Sequence, residues 1–211
     1  MTSFKRWLGV LLALPGMAAI VLPFYYGVSP MKVIMEMGGV ASRRFAADYL
    51  WMAIPFFAAP MILDWQVQRA RGTRIGWLRV FIWHATAVAA VAPVLVTIFR
   101  VPSDAWAEAS PTLLPVLAAI VVYGALVARC LGRRWPPDET AGIAMNSAYL
   151  PNAILCLIAF AMPDGPGGWR VGGWQVGAWV TLVACVCSVI QIVLVMRTRQ
   201  GAPVQSLLPQ S

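Results

Sequence analysis

The segment Met145-Asn146-Ser147-Ala148-Tyr149-Leu150-Pro151-Asn152 lies inside an apolar run that extends over residues 140–162. It places two carboxamides, a hydroxyl, a phenol and a proline among otherwise apolar side chains. On a helix, Asn146, Tyr149, Asn152 and Cys156 fall within about one third of the circumference. Unpaired amides are costly in hydrocarbon, so this polar face is expected to turn away from lipid if the run crosses a membrane.

The composition predicts that a bilayer is the solvent for most of the chain. Of the 211 residues, 60% are hydrophobic and 11% are charged, whereas a soluble domain carries roughly 25% charged residues. A polar stretch long enough to form a separate soluble domain is missing from the sequence. We therefore expect one transmembrane helical domain over residues 1–199 and a short polar tail over residues 200–211.

Six apolar runs predict an all-α polytopic membrane protein that forms a bundle of six transmembrane helices. The runs cover residues 7–27, 49–63, 77–99, 113–131, 140–162 and 174–196. The first is expected to be an uncleaved helix, because a signal peptide would have a shorter apolar region and a small-residue cleavage site. Residues 28–46 are too short and too charged to span, so they predict a short segment at the membrane interface.

The arrangement of basic residues predicts the orientation. With six spans, one side of the membrane collects eleven of the sixteen Lys and Arg residues: Lys5, Arg6, Arg69, Arg71, Arg74, Arg79, Arg129, Arg133, Arg134, Arg197 and Arg199. Basic loops favour the cytoplasmic side. The sequence therefore predicts cytoplasmic N- and C-termini, and a bacterial inner membrane is the default location. The net charge of +8 does not indicate nucleic-acid binding, because the arginines flank apolar runs instead of sharing one exposed face.

Neither a metal nor another cofactor is expected. The four cysteines lie within or at the edge of apolar runs, and Cys185 and Cys187 are spaced for neither a disulfide nor a shared metal. Methionines in residues 28–46 suggest a Cu(I) site as an alternative, although that segment has no His or Cys beside them. His84 is the only histidine, so the chain cannot supply a second histidine for bis-histidine haem ligation.

Two interpretations of the polar stretch remain open. In the first, Asn146, Tyr149 and Asn152 line a ligand-binding cavity, joined by His84 and Gln191, and the carbonyl released by Pro151 contributes to it. In the second, the same groups form hydrogen bonds between helices. No mid-membrane acid or base accompanies them, and ion-coupled transport usually needs such a group. Catalytic residues are not assigned, because the sequence contains no Gly-x-Ser-x-Gly, His-Glu-x-x-His or Cys-x-x-Cys motif.

The two halves of the chain match at an offset of one hundred residues. Leu14-Pro15-x-x-Ala18-Ala19-Ile20-Val21 recurs as Leu114-Pro115-x-x-Ala118-Ala119-Ile120-Val121, and Tyr49-Leu50-x-x-Ala53-Ile54 recurs as Tyr149-Leu150-x-x-Ala153-Ile154. A true duplication would create an inverted repeat of three helices, as in many transporters. Coincidence is the competing explanation, because Ala, Leu, Ile and Val dominate both segments.

The sequence favours a non-catalytic accessory or structural membrane subunit. Its partners would be the lipid bilayer and other membrane subunits or further copies of the chain, and nucleic acid is excluded. The alternative is a small transporter or channel for a neutral solute, built as a three-plus-three inverted repeat. A membrane enzyme is the least favoured class.

Overall fold

A computed structural model describes residues 3–24, 29–36, 54–99, 101–161 and 175–200. These residues form an all-α fold, with no strand among them. The seven α-helices are α1 (Ser3–Val21), α2 (Pro30–Glu36), α3 (Ala58–Arg71), α4 (Trp77–Phe99), α5 (Trp106–Gly132), α6 (Pro137–Ala161) and α7 (Val176–Gln200). Short 3₁₀ turns at Ile54–Phe57 and Ser103–Ala105 precede α3 and α5.

Four of these helices are long and apolar enough to cross a membrane. They contain the stretches Trp77–Val96, Leu113–Gly132, Pro137–Ile158 and Val176–Thr198. The first and second expected spans fall short of this length in the described residues. The apolar part of α1 is Trp7–Val21, and the expected run at residues 49–63 is described only from residue 54. The expected short segment at residues 28–46 contains α2, and residues 37–46 lie outside the described part.

Helix α6 occupies the centre of the bundle. It packs against α3, α4, α5 and α7, and 83% of its most apolar stretch is buried, compared with 17% for α5. The other apolar helices expose one face instead, with large side chains such as Phe81 on α4, Val121 on α5 and Val186 on α7 pointing outward. This arrangement explains why α6 can carry several polar side chains, since other helices surround it on most sides.

The longer helices alternate in direction. The start of α1, the end of α3 and the end of α7 lie together, because Gly9 and Gln191 both adjoin Gln66. At the opposite end, the amide of Gly177 at the start of α7 donates to the carbonyl of Pro23 after α1 (2.8 Å). Trp83 near the start of α4 donates to Asp64 on α3, so α4 runs opposite to α3.

Helix α3 extends well past the expected end of the second apolar run at Leu63. Its inner face stays buried at Ile62, Gln66 and Ala70, so packing continues while the outer face becomes polar. The helix ends where Gly72 adopts a left-handed conformation (φ 67°) and its amide bonds back to the last turn. The charged half of α3 is therefore part of the bundle instead of a loop.

Both copies of the Leu-Pro-x-x-Ala-Ala-Ile-Val match are helical, within α1 and α5. A three-helix duplication would pair α1 with α5, α3 with α6 and α4 with α7. Helix α1 packs closely along α7. Under this pairing, the contact between α1 and α7 should recur between α5 and α4. In the described part of the chain, α4 and α5 meet at a small apolar cluster that contains Val94, Val116 and, on α6, Leu155. The helix packing therefore gives the duplication little support.

Candidate functional site

Two of the polar groups in α6 bond mainly to their own helix. The amide of Asn146 donates to the carbonyl of Gly142 (2.9 Å), and the hydroxyl of Ser147 donates to the carbonyl of Ile143 (2.6 Å). Both side chains are buried. Bonding one turn back lets a helix carry such residues without a partner from another helix. The helix is continuous through Pro151.

Asn152 joins α6 to α4. Its side-chain amide donates to the backbone carbonyl of Ala90 on α4 and also to the carbonyl of Ala148 (3.1 Å) on its own helix. Its oxygen has no partner among the described residues. Ala90 is buried and its small side chain allows this close approach. The carboxamide is therefore engaged in helix packing.

A buried pair of glutamines joins α3 to α7. The amide of Gln66 donates to the side-chain oxygen of Gln191 (2.9 Å), and both side chains are buried. Helix α1 covers this pair at Gly9, where an added Cβ would overlap the carboxamide of Gln66. Three helices therefore meet at one hydrogen bond, and a glycine on α1 is required for their approach.

Tyr149 lines a small cavity next to the glutamine pair. The cavity is bounded by α1, α3, α6 and α7, and it has about 10 Å³ of space for the centre of a water-sized sphere. Ser188 and Gln191 supply polar groups to its wall, and the rest of the wall is apolar or small. Tyr149 is only 1% exposed, and its hydroxyl has no hydrogen-bond partner among the described residues. Its ring packs edge-on against Phe56, with centroids 5.9 Å apart.

His84 lies apart from these groups. It is on α4, half-buried, and its Nδ1 is 2.9 Å from the carbonyl of Val80. Because a carbonyl only accepts, Nδ1 is the protonated nitrogen in this hydrogen bond. The neighbouring polar cluster is centred on Asp64, which accepts from Trp83 (3.2 Å) and pairs with Arg79 (3.2 Å). This cluster connects the end of α3 to the start of α4.

The structure brings together two of the five expected site residues. Tyr149 and Gln191 line the same cavity, whereas Asn146 bonds within α6 and Asn152 contacts α4. Gln66 and Ser188 are members of the polar core that the sequence did not indicate. Gln66 could have been found by continuing the i, i+4 pattern of Ile62 into the charged half of α3.

The chemistry of this polar core is that of neutral hydrogen-bonding groups. Its members are carboxamides, hydroxyls and a phenol, and the carboxylate of Asp64 on α3 is engaged by Trp83 and Arg79. Within the described residues, no three His, Cys, Asp or Glu side chains are grouped so that they could hold a metal ion. The arrangement can bind a small neutral molecule or hold helices together.

Comparison of this chain with models of known protein families, with curated proteins and with solved structures finds no match.

Proposed function

We propose that this chain is an integral membrane protein that acts as a non-catalytic accessory or structural subunit. The observation that carries the proposal is the use of its central polar groups. Asn152, Gln66 and Gln191 form hydrogen bonds between helices, and the cavity beside them has room for about one water molecule. A solute binding site usually measures several hundred Å³.

The membrane assignment rests on the outer faces of the long helices. Outward-facing residues of α4, α5 and α7 include Phe81, Ile82, Val121, Val122 and Val186. Such contiguous apolar surface is unfavourable in water and favourable in lipid. Four long apolar helices give the bundle enough spans for stable insertion.

We further propose six crossings, with both termini in the cytoplasm of a bacterial cell and the protein in the inner membrane. The apolar part of α1, Trp7–Val21, corresponds to about 22 Å of helix, and a bilayer can thin locally around a crossing of this length. The second crossing would consist of residues 49–63, so the charged half of α3 would lie among the headgroups. The basic end of the bundle, which includes Arg71, Arg74 and Arg133, would face the cytoplasm.

Single cysteines labelled with a membrane-impermeant maleimide test this topology. Lys32, Thr73 and Ser103 are exposed in or beside helix ends, and all four native cysteines are replaced by alanine in the parent protein. Six crossings predict that Lys32→Cys and Ser103→Cys are labelled from outside and that Thr73→Cys is labelled only after membrane disruption. If Lys32→Cys and Thr73→Cys behave alike, residues 49–63 between them do not cross the membrane, and the six-span proposal is wrong.

The accessory role is tested by purification of the tagged full-length chain from its native membranes in a mild detergent. A second membrane protein should co-elute in a fixed ratio. A lone chain carrying a small organic solute would contradict the proposal and favour the transporter alternative. That alternative also predicts solute flux in proteoliposomes that Asn152→Leu abolishes. The present proposal expects no such flux, because the amide of Asn152 donates to Ala90.

A further inference from the structure

We propose that the cavity bounded by α1, α3, α6 and α7 is a hydration site, in which one water molecule binds the hydroxyl of Tyr149 together with Ser188 and Gln191. Two independent observations meet here. One is a small space between four helices with Tyr149 in its wall, and the other is a buried phenol whose hydroxyl has no protein partner among the described residues.

The size of the cavity selects the ligand. The space for the centre of a water-sized sphere is about 10 Å³, and a single buried water needs roughly 10–15 Å³ on this measure. Larger solutes are excluded without rearrangement of the helices. Alanine and glycine create this space on α1, where Ala13 and Gly16 form part of the wall.

The polarity of the wall decides between an occupied and an empty cavity. Cavities lined by apolar side chains alone stay dry, and a bound water requires two to four polar partners. Three polar side chains line this one, and each is at most 5% exposed: Tyr149, Ser188 and Gln191. Leaving the buried phenol without a hydrogen-bond partner is unfavourable. A water that accepts from or donates to Tyr149 removes this penalty.

The bound water would complete a polar connection across four helices. Gln66 on α3 already donates to Gln191 on α7, and the water would add Tyr149 on α6 to the same network. Helix α1 encloses the site on its remaining side. The inference concerns the interior of the bundle, so it holds whether or not the chain proves to be an accessory subunit.

X-ray radiolytic labelling in H₂¹⁸O tests the site on the full-length protein. Bound water is activated in place, so a buried residue beside it is hydroxylated, whereas a buried residue in a dry environment is not. We expect ¹⁸O incorporation at Tyr149. Met145, one turn earlier on α6, is fully buried and absent from the cavity wall, so it should remain unmodified although its thioether is readily oxidised.

Two alanine substitutions on α1 provide a matched comparison. Ala13 lines the cavity, whereas Ala18 is exposed on the outer face of the same helix. Ala13→Val should fill the space and abolish labelling of Tyr149, and Ala18→Val should leave that labelling unchanged. Exposed Met35 is the positive control. If Met35 is strongly labelled in the protein without substitutions but Tyr149 carries no label, the proposal is overturned. Equal labelling in both variants would do the same, because the oxidant would then reach Tyr149 by another route.

Discussion

Replacement of the buried glutamines tests whether the polar core holds the helices together. Gln191→Leu removes the acceptor of the 2.9 Å hydrogen bond and leaves the amide of Gln66 buried without a partner. Leucine has a similar volume, so no large cavity is created. The stranded amide should lower the free energy of unfolding by about 1–3 kcal/mol. Gln66→Leu should have an effect of the same sign, because it strands the oxygen of Gln191.

The double variant separates the hydrogen bond from the general effect of each substitution. When both residues are leucine, no polar group is stranded, so the loss should be smaller than the sum of the two single losses. Hydrogen bonds between membrane helices have a coupling energy of about 0.6 kcal/mol on average and about 1.7 kcal/mol at most. We expect the upper part of this range, because Gly9 on α1 covers the pair and shields it from other partners.

Reversible unfolding in mixed micelles, followed by far-UV circular dichroism, supplies the four free energies. Gln68 serves as the control, since it lies on the same helix but its carboxamide bonds to Asp64 and Thr73. A cycle between Gln68→Leu and Gln191→Leu should give a coupling energy near zero. If the cycle between Gln66 and Gln191 gives no larger value than this control, the hydrogen bond does not hold α3 to α7 and our reasoning is wrong.

Substitutions at three further positions should change the stability of the protein in a direction that a single feature of the structure predicts. Gly142→Ala places a methyl group against the indole of Trp65 on α3, so it should lower the free energy of unfolding by about 1–3 kcal/mol. Its control is Gly124→Ala, where no atom lies within 4 Å of the new Cβ. This control should raise the free energy of unfolding by roughly 0.5–1 kcal/mol. Arg134 has a φ of 51° after α5, so Arg134→Gly should raise the melting temperature, and Arg134→Ala should not. Asn152→Leu strands no donor but loses the bond to Ala90, so a destabilisation of about 0.6–1.7 kcal/mol is expected from the same micelle assay; an unchanged or higher stability would contradict a packing role for this carboxamide.

Apolar run length and helical periodicity were sufficient to predict much of the fold. Helices α4 to α7 coincide with four of the expected runs, because a continuous apolar stretch of about 20 residues specifies a helix almost regardless of its neighbours. The burial of Asn146 and Asn152 was also predictable, since unpaired carboxamides are costly in an apolar environment, and α6 is buried on most sides. Both side chains are buried.

The charged half of α3 could not be predicted from apolar run length. Beyond Leu63 the helix has Asp64, Gln68 and Arg69 on its more open side, and these residues lower its average hydropathy. The features that keep it helical are tertiary, namely the burial of Trp65 against Gly142 and of Gln66 against α1. Because these contacts involve partners far away in the chain, the only local signal that Gln66 belongs to the core is its i, i+4 spacing from Ile62.

The sequence predicted that Asn146, Tyr149 and Asn152 line one cavity with His84 and Gln191, and the structure places Tyr149 and Gln191 at the same cavity. Tyr149 and Asn152 differ by about 60° around the helix axis, and this angle is enough to direct them to different partners. Tyr149 lines the cavity enclosed with α1, α3 and α7, whereas Asn152 contacts the backbone of α4. A helical wheel gives the angle between two side chains but not the helix that lies opposite each of them. The residues predicted to form one site therefore make two separate contacts, one at the cavity and one with α4.

This division makes α6 the helix that holds two groups together. Helix α1 packs on α3 and on α7, and these two helices pack on α6, whereas α4 and α5 pack mainly on α6. Each group has its own side-chain hydrogen bond. The Gln66–Gln191 bond joins α3 to α7 within the first group, and the Asn152 amide joins α6 to α4 in the second group. Helix α5 packs on α6 through apolar side chains, among them Val116 against Leu155. Helix α5 also has the smallest buried share of the four long apolar helices, so it is the helix that the rest of the described chain covers least.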